Sequence, residues 1–360
     1  MIGILILFLI QCVAIGVCSV FGWTDIHPDL VTIQMIGFTS ILLIYIFAKK
    51  IISLIITLLI GAYVYSKTNS VLNFVISIIL IYIPIEKMIV QIIQYILGKC
   101  IKPTLIPKMN FQNGVPKKYS TFVVIPTIIK DKEKVEEMFN KLEVYYLANK
   151  SENIYFALLG DCAQSDKEQE DYDKEVIKSG LELVKQLNDK YKNEGLNKFH
   201  FIYRKRVWND KEECFIGWER KRGMLNQFNE YILKNIENSF LVNTLEEQKE
   251  LVPNIKYIIT LDSDTALVLN TGLELIGAMA HILNMPKLNE ERNVVIDGYG
   301  IMQPRVGIDL ASSQKTLFTK LYAGLGGTDS YTNAISDVYQ DNFDEGIFAG
   351  KGIYDVEVFS

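Results

Sequence analysis

Histidine and cysteine are scarce in this 360-residue chain. The three histidines (His27, His200, His281) lie far apart, and the five cysteines (Cys12, Cys18, Cys100, Cys162, Cys214) include no C-x-x-C pair. Zinc ligation, a disulfide scaffold and a Cys–His nucleophile are therefore poor readings. Charge is missing in one place. Of the 79 charged side chains, only seven (Asp25, Asp29, Lys49, Lys50, Lys67, Glu86, Lys87) fall within residues 1–98. The other 72 crowd into the last 262 residues, close to the roughly one-in-four density of a soluble domain. A single homogeneous globular domain is excluded, and so is a disordered or collagen-like chain. An excess of positive charge is also lacking. After residue 98, 33 Lys and Arg face 39 Asp and Glu, which speaks against nucleic acid as a partner.

The charge-poor region is filled by apolar runs: Ile2–Trp23, Val31–Phe47, Ile51–Tyr65 and Val71–Ile83. A spanning helix needs about 20 mostly apolar residues. The first run meets that easily and the second just does; Ser, Thr and Lys flanks extend the other two. A cleaved signal peptide fits the first run poorly, since no basic segment precedes it and three more runs follow. Beyond Pro84, Ile85–Leu97 is amphipathic. It either lies in the membrane interface or lengthens the fourth helix through a proline kink. Lys49 and Lys50 fill the second loop, and Lys99, Lys102, Lys108, Lys117 and Lys118 follow the fourth run. Four spans, with the second loop and the C-terminal domain inside, satisfy the positive-inside rule. This predicts a multi-pass protein of a bacterial-type cytoplasmic (inner) membrane. Residues 1–98 are its lipid-bilayer part, 99–118 a linker and 119–360 a cytosolic domain.

In the soluble part, strand and helix signals alternate. Strands are expected at Ser120–Pro126, Ile154–Gly160, Lys198–Arg204, Ile255–Leu261 and Asn293–Ile301. Helices are expected at Lys130–Ala148, Glu168–Lys192, Trp218–Ile236 and Thr271–Leu283. Such alternation predicts α/β crossovers and a mostly parallel sheet, whose ligands collect at the carboxyl ends of the strands. Asp161 follows the second strand, and Asp262, Ser263 and Asp264 follow the fourth. Two carboxylates at i and i+2 beyond an apolar strand are costly without a cation, and Mg²⁺ or Mn²⁺ prefers such oxygen ligands together with substrate phosphates. The same pair also suits an Asx turn, or a helix cap with Asp264 or Thr265.

Two more segments stand out. Arg220, Lys221 and Arg222 form a basic run before Gly223, suited to a metal-bound diphosphate or else to a solvated helix face. The tail Ser336–Asp355 (SDVYQDNFDEGIFAGKGIYD) mixes acids, aromatics and glycines. Acids that bond hydroxyls and rings that cover C–H faces suit a sugar; an acidic surface loop with glycine turns has the same composition.

Taken in order, Trp218–Asn229 (WERKRGMLNQFN), Thr260–Thr265 (TLDSDT), Ala278–Pro286 (AMAHILNMP), Gly300–Val306 (GIMQPRV) and Ser336–Asp355 resemble the glycosyltransferase domain of cyclic β-1,2-glucan synthases. The resemblance implies a Rossmann-like GT-A domain behind N-terminal transmembrane helices. It implies UDP-glucose as donor, a growing β-1,2-glucan as acceptor, inverting transfer, and a divalent cation (Mg²⁺ or Mn²⁺). By the same resemblance Asp161, Asp262, Lys221 and Arg222 bind the nucleotide sugar, and Asp262 and Asp264 hold the metal. Gly350, Lys351, Gly352 and Asp355 line the acceptor side. The general base of such an enzyme is expected beyond Ser360, with Asp341 and Glu345 as candidates inside the chain. The sequence then reads as the N-terminal fragment of a synthase, C-terminally incomplete, with the remainder of the polypeptide as a partner. Two other readings stay open: a processive transferase for another UDP-sugar, and a non-catalytic membrane scaffold or sensor that keeps the nucleotide-sugar site.

Overall fold

A computed structural model describes residues 49–100, 104–192, 196–234, 236, 239–289, 291–322 and 348–359. The expected spans Ile2–Trp23 and Val31–Phe47, and the acids Asp341 and Glu345, lie outside the described residues. Described residues up to 100 and those from 104 onward belong to two compact units.

The first unit contains helices α1 (Lys49–Thr68) and α2 (Val71–Cys100), both with a stretch long and apolar enough to cross a membrane. Asn69 turns the chain between them at φ 48°, its N–H donating to the Tyr65 carbonyl. Gly61 permits close approach, because a Cβ there would meet Phe74 and Ile78 at 3.1 Å. Ser53 and Thr57 return their hydroxyl protons to the carbonyls of Lys49 and Ser53, so neither side chain is left bare. Lys49 pairs with Glu86 at 2.9 Å. Leu59, Tyr63, Leu72, Ile79 and Leu80 nonetheless stand largely exposed, an arrangement that lipid favours and water does not. Of the two alternatives for Ile85–Leu97, the structure takes the second: α2 runs through Pro84 as one helix.

The second unit is a three-layer α/β domain. Its central sheet has the order β10-β11-β7-β1-β2-β3-β6. The strands are β1 (Ser120–Ile129), β2 (Ile154–Cys162), β3 (Phe199–Arg204), β6 (Phe240–Asn243), β7 (Ile255–Thr260), β10 (Ile301–Met302) and β11 (Gly352–Asp355). The four middle strands are mutually parallel, as expected, whereas β6, β10 and β11 join antiparallel at the edges. Side chains alternate across the sheet. Val123, Ile125, Phe156, Leu158 and Ile259 face helices α3 (Lys132–Ala148), α4 (Asp171–Lys190) and α6 (Thr271–Met279). Phe122, Val124, Ala157 and Ile258 face α5 (Arg220–Lys234), which contributes Met224, Leu225, Phe228, Tyr231 and Ile232 at helical spacing.

Local chemistry sets the element ends. Asp131 caps α3 by accepting from the Lys134 N–H, and Glu170 with Asp173 closes a capping box on α4. β1 outlasts the expected stop at Pro126 for a geometric reason. Val124 presents its carbonyl to the β7 side, accepting from Leu261, so Pro126 faces the same side two residues on. β7 has ended there, and the missing proline N–H costs no ladder bond. The expected fifth strand is corrected. Val294–Asp297 (β9) pairs with Lys287–Asn289 (β8) in a separate ribbon, and only Ile301–Met302 reaches the sheet edge. A second small ribbon joins β4 (Val207–Asn209) to β5 (Cys214–Ile216).

Candidate functional site

β2 and β7 flank β1, so Asp161 and Asp262 lie at the same end of the parallel strands, two strand spacings (about 10 Å) apart laterally, with Asp161, opposite Ile128, further along the strand direction. Asp161 is 3% exposed and held by Arg204, at the tip of β3. Arg204 Nε reaches Oδ1 at 3.1 Å and Nη2 reaches Oδ2 at 2.6 Å. The same guanidinium donates to the carbonyls of Trp218 and Arg220 and to Gln227 Oε1. Gly217 crosses directly over the pair: a Cβ there would stand 2.1 Å from Asp161 Oδ1 and 2.3 Å from Arg204 Nη2. Glu219 and Arg220 follow in the left-handed region, at φ 52° and 49°. Such backbone persists only where contacts over-determine it, and here the carbonyls on either side are pinned by one arginine. Burial pushes the Asp161 carboxyl above its usual range, with Arg204 pulling the other way.

That pinned turn launches α5 and aims Lys221 at the second acid. Lys221 Nζ lies 2.5 Å from Asp262 Oδ1 and 2.6 Å from the Gly350 carbonyl. Lys351 Nζ lies 3.2 Å from Asp262 Oδ2 and 4.0 Å from Asp264 Oδ1. Asp262 is therefore held between two ammonium groups, and both acids of the D-x-D converge on one of them. Partial burial raises the Asp262 carboxyl, but Lys221 and then Lys351 outweigh it and hold it below the usual range. The loop is framed from α3: Lys141 donates to the Ser263 carbonyl at 2.6 Å, and the Tyr145 hydroxyl to that of Thr265 at 2.5 Å. Burial, with the charge of Asp264, pushes the Tyr145 phenol up to about 12. Neither alternative for the D-x-D is realised, since Asn270 holds the N-cap position of α6, Asn149 Oδ1 accepts from the Gly272 N–H at 2.7 Å, and Asp262 spends its oxygens on lysines.

Not every expected residue comes to this crevice. Gly350, with φ 76°, and Lys351 do, and so does Gly352, which pairs with Thr260. Asp355 sits three residues further along β11, opposite Tyr257 and toward the other end of the sheet. Its carboxylate accepts from the Glu357 N–H and pairs with Lys256 at 3.1 Å. Arg222 points outward, its side chain 75% exposed and 3.7 Å from Glu219, so this member of the basic run occupies a solvated helix face. Sequence reasoning passed over Arg204 and Gly217. Arg204 carried a signal, the first charge after an apolar strand and the start of the run Arg204, Lys205, Arg206; Gly217 carried none. Cys162 is buried, donates toward the Arg204 carbonyl at 3.1 Å, and has its thiol pushed up to about 12 by burial, far from a nucleophile.

Among the described residues no group of three or more His, Cys, Asp or Glu side chains gathers as a ready-made metal site, so the crevice offers a hard cation the D-x-D pair alone. Two carboxylates reach one positively charged point at the rim of a crevice, with two amines beside it for anionic oxygens. No family model matches the chain. Over 260 residues, 72% of the chain, it is 36% identical to the cyclic beta-(1,2)-glucan synthase NdvB of Rhizobium meliloti (strain 1021). It spans 9% of that protein's length.

Proposed function

With homology to a segment of a cyclic β-1,2-glucan synthase as the premise, we propose that the chain forms the donor-binding part of a membrane-bound, inverting glycosyltransferase. UDP-glucose is the proposed donor and a growing β-1,2-glucan the acceptor. The carrying observation is Asp262, clamped between Lys221 and Lys351 with Asp264 in reach, at the carboxyl end of a parallel strand. Asp262 and Asp264 would hold Mg²⁺ or Mn²⁺. When bound, that cation supplies charge neutralisation for a diphosphate leaving group.

Lys221 and Lys351 then exchange a carboxylate for phosphate oxygens, which puts two ammonium groups where negative charge grows as the sugar leaves. Asp161 is assigned a positioning role. Both its oxygens are committed to Arg204, and Arg204 pins the turn from which Lys221 extends. Gly350 and Gly352 keep the acceptor-side backbone close and slim: a Cβ at Gly352 would stand 2.3 Å from the Met302 carbonyl. The acceptor hydroxyl must surrender a proton to a general base; we assign none to the described residues.

α1 and α2 are proposed as two of several spans in a bacterial-type cytoplasmic membrane, with the α/β domain on the cytosolic side, where nucleotide sugars are made. The proposal is tested by a binding panel on the detergent-solubilised protein. UDP-glucose should compete with UDP, and GDP- and ADP-glucose should not. Equal binding of all three diphosphate sugars would refute the assigned donor.

A further inference from the structure

The α/β domain carries an apolar shelf that the donor crevice does not use. Residues 104–109 run beside the end of α6: Met109 N–H donates to the Gly277 carbonyl at 2.9 Å, and Asn284 Nδ2 to that of Pro107 at 2.7 Å. A Cβ on Gly277 would stand 2.3 Å from the Met109 carbonyl, so the two backbones are in direct contact. This brings Leu105, 78% exposed, toward Ile282 and Leu283, which are 78% and 73% exposed. The β8–β9 ribbon continues the surface. Its alternate residues point to opposite faces, yet Val294, Val295 and Ile296 are all exposed, and so is Leu288 across from Val295. A two-stranded ribbon with both faces apolar and uncovered is marginal in water. Exposed apolar side chains gathered on neighbouring segments in this way mark an interaction site.

We propose that this shelf seats in the interfacial layer of a lipid bilayer. The proposal rests on the reading of α1 and α2 as membrane spans. Chain length is the first argument. Only four residues lie between Cys100, the end of α2, and Leu105, a contour of at most about 18 Å. So short a tether holds the bilayer surface at a high effective concentration relative to any soluble partner. Charge is the second. Two of the shelf's cations are already paired, Lys287 with Asp297 at 2.6 Å and Lys108 with Glu274 at 3.3 Å. Arg292, in the exposed turn of the ribbon, keeps its charge, so one cation and the apolar faces remain to drive association, a combination suited to the headgroup and acyl-chain boundary of a bilayer.

Single tryptophan reporters in the full chain, reconstituted in phosphatidylcholine vesicles with or without brominated acyl chains, test this. Ile282→Trp and Leu288→Trp replace exposed side chains, so the fold is not at stake. Tyr63→Trp on α1 reports the membrane reading, and Leu181→Trp on α4 is the exposed control. The three native tryptophans form a common background. The added emission of Ile282→Trp and Leu288→Trp should be lost in brominated vesicles as fully as that of Tyr63→Trp, while Leu181→Trp keeps its own. If the shelf reporters behave like Leu181→Trp while Tyr63→Trp is quenched, the shelf proposal is overturned and the spans stand. An unquenched Tyr63→Trp overturns both. Shelf emission that ignores bromine but shifts blue with protein density assigns the surface to a second copy and overturns the lipid assignment.

Discussion

Arg204→Met removes the central support of the site without changing its volume much. Arg204 is 1% exposed and makes five hydrogen bonds, two of them to Asp161, which is 3% exposed. Breaking a buried pair from one side leaves an uncompensated charge and costs about 3–5 kcal/mol. In a domain of this size each kcal/mol lowers Tm by about 2–4 °C, so a fall of about 10–15 °C is expected. Asp161→Asn alone should also destabilise, since it leaves the guanidinium unpaired. The double variant is the discriminating member of the cycle. Removing both charges spares the unpaired one, and about 2 kcal/mol of the summed loss should be recovered. Thermal unfolding in detergent, followed by tryptophan fluorescence, reads all four proteins. An Arg204→Met loss under about 1 kcal/mol, or a double variant equal to the sum of the singles, would refute the buried-pair reasoning.

Other consequences are separately measurable. His200 is buried against the edge of Phe122, and burial lowers its ring to about 4. A folded value below the unfolded 6.5 means the unfolded chain binds the extra proton first. Stability from this group is complete above about pH 6.5 and falls by about 3 kcal/mol on going down to pH 4, a slope that His200→Phe should remove in urea titrations. Lys351→Met should weaken metal-dependent UDP binding by about tenfold, equivalent to about 1.4 kcal/mol, without lowering Tm; unchanged affinity would take Lys351 out of the site. Asp355→Asn should lower Tm through the lost pair with Lys256 and leave UDP affinity native in the same titration, because this carboxylate faces away from the crevice.

The parts of the fold that sequence made legible are those with a strong periodic signal. β1, β2, β3 and β7 are apolar runs of strand length, and α3, α4 and α5 show helical spacing that ends within a few residues of its caps. Edge elements were less visible. β6 and β11 are four residues each and take their direction from tertiary pairing rather than from their own composition. Val294–Ile296 carries a full strand signal yet pairs with β8, since an apolar run does not name its partner. In the site, the D-x-D was legible because two acids after an apolar strand are costly wherever they stand. The clamp was only half legible. Lys221 and Lys351 lie in segments already singled out, but Arg222 and Asp355 are their near neighbours and turn away, a distinction set by helix phase and strand direction. Gly217 was silent in sequence because its requirement is the space above Asp161, which exists only once three strand tips and α5 have met.

The central claim is that Asp262 and Asp264 grip a diphosphate through one divalent cation. It is tested most directly by calorimetric titration of UDP into the solubilised chain with Mn²⁺ and with EDTA, for the native protein and for Asp262→Ala and Asp264→Ala. Binding heat that requires Mn²⁺ and vanishes in both variants is the predicted result. The same affinity in EDTA, or native affinity in either variant, would contradict it.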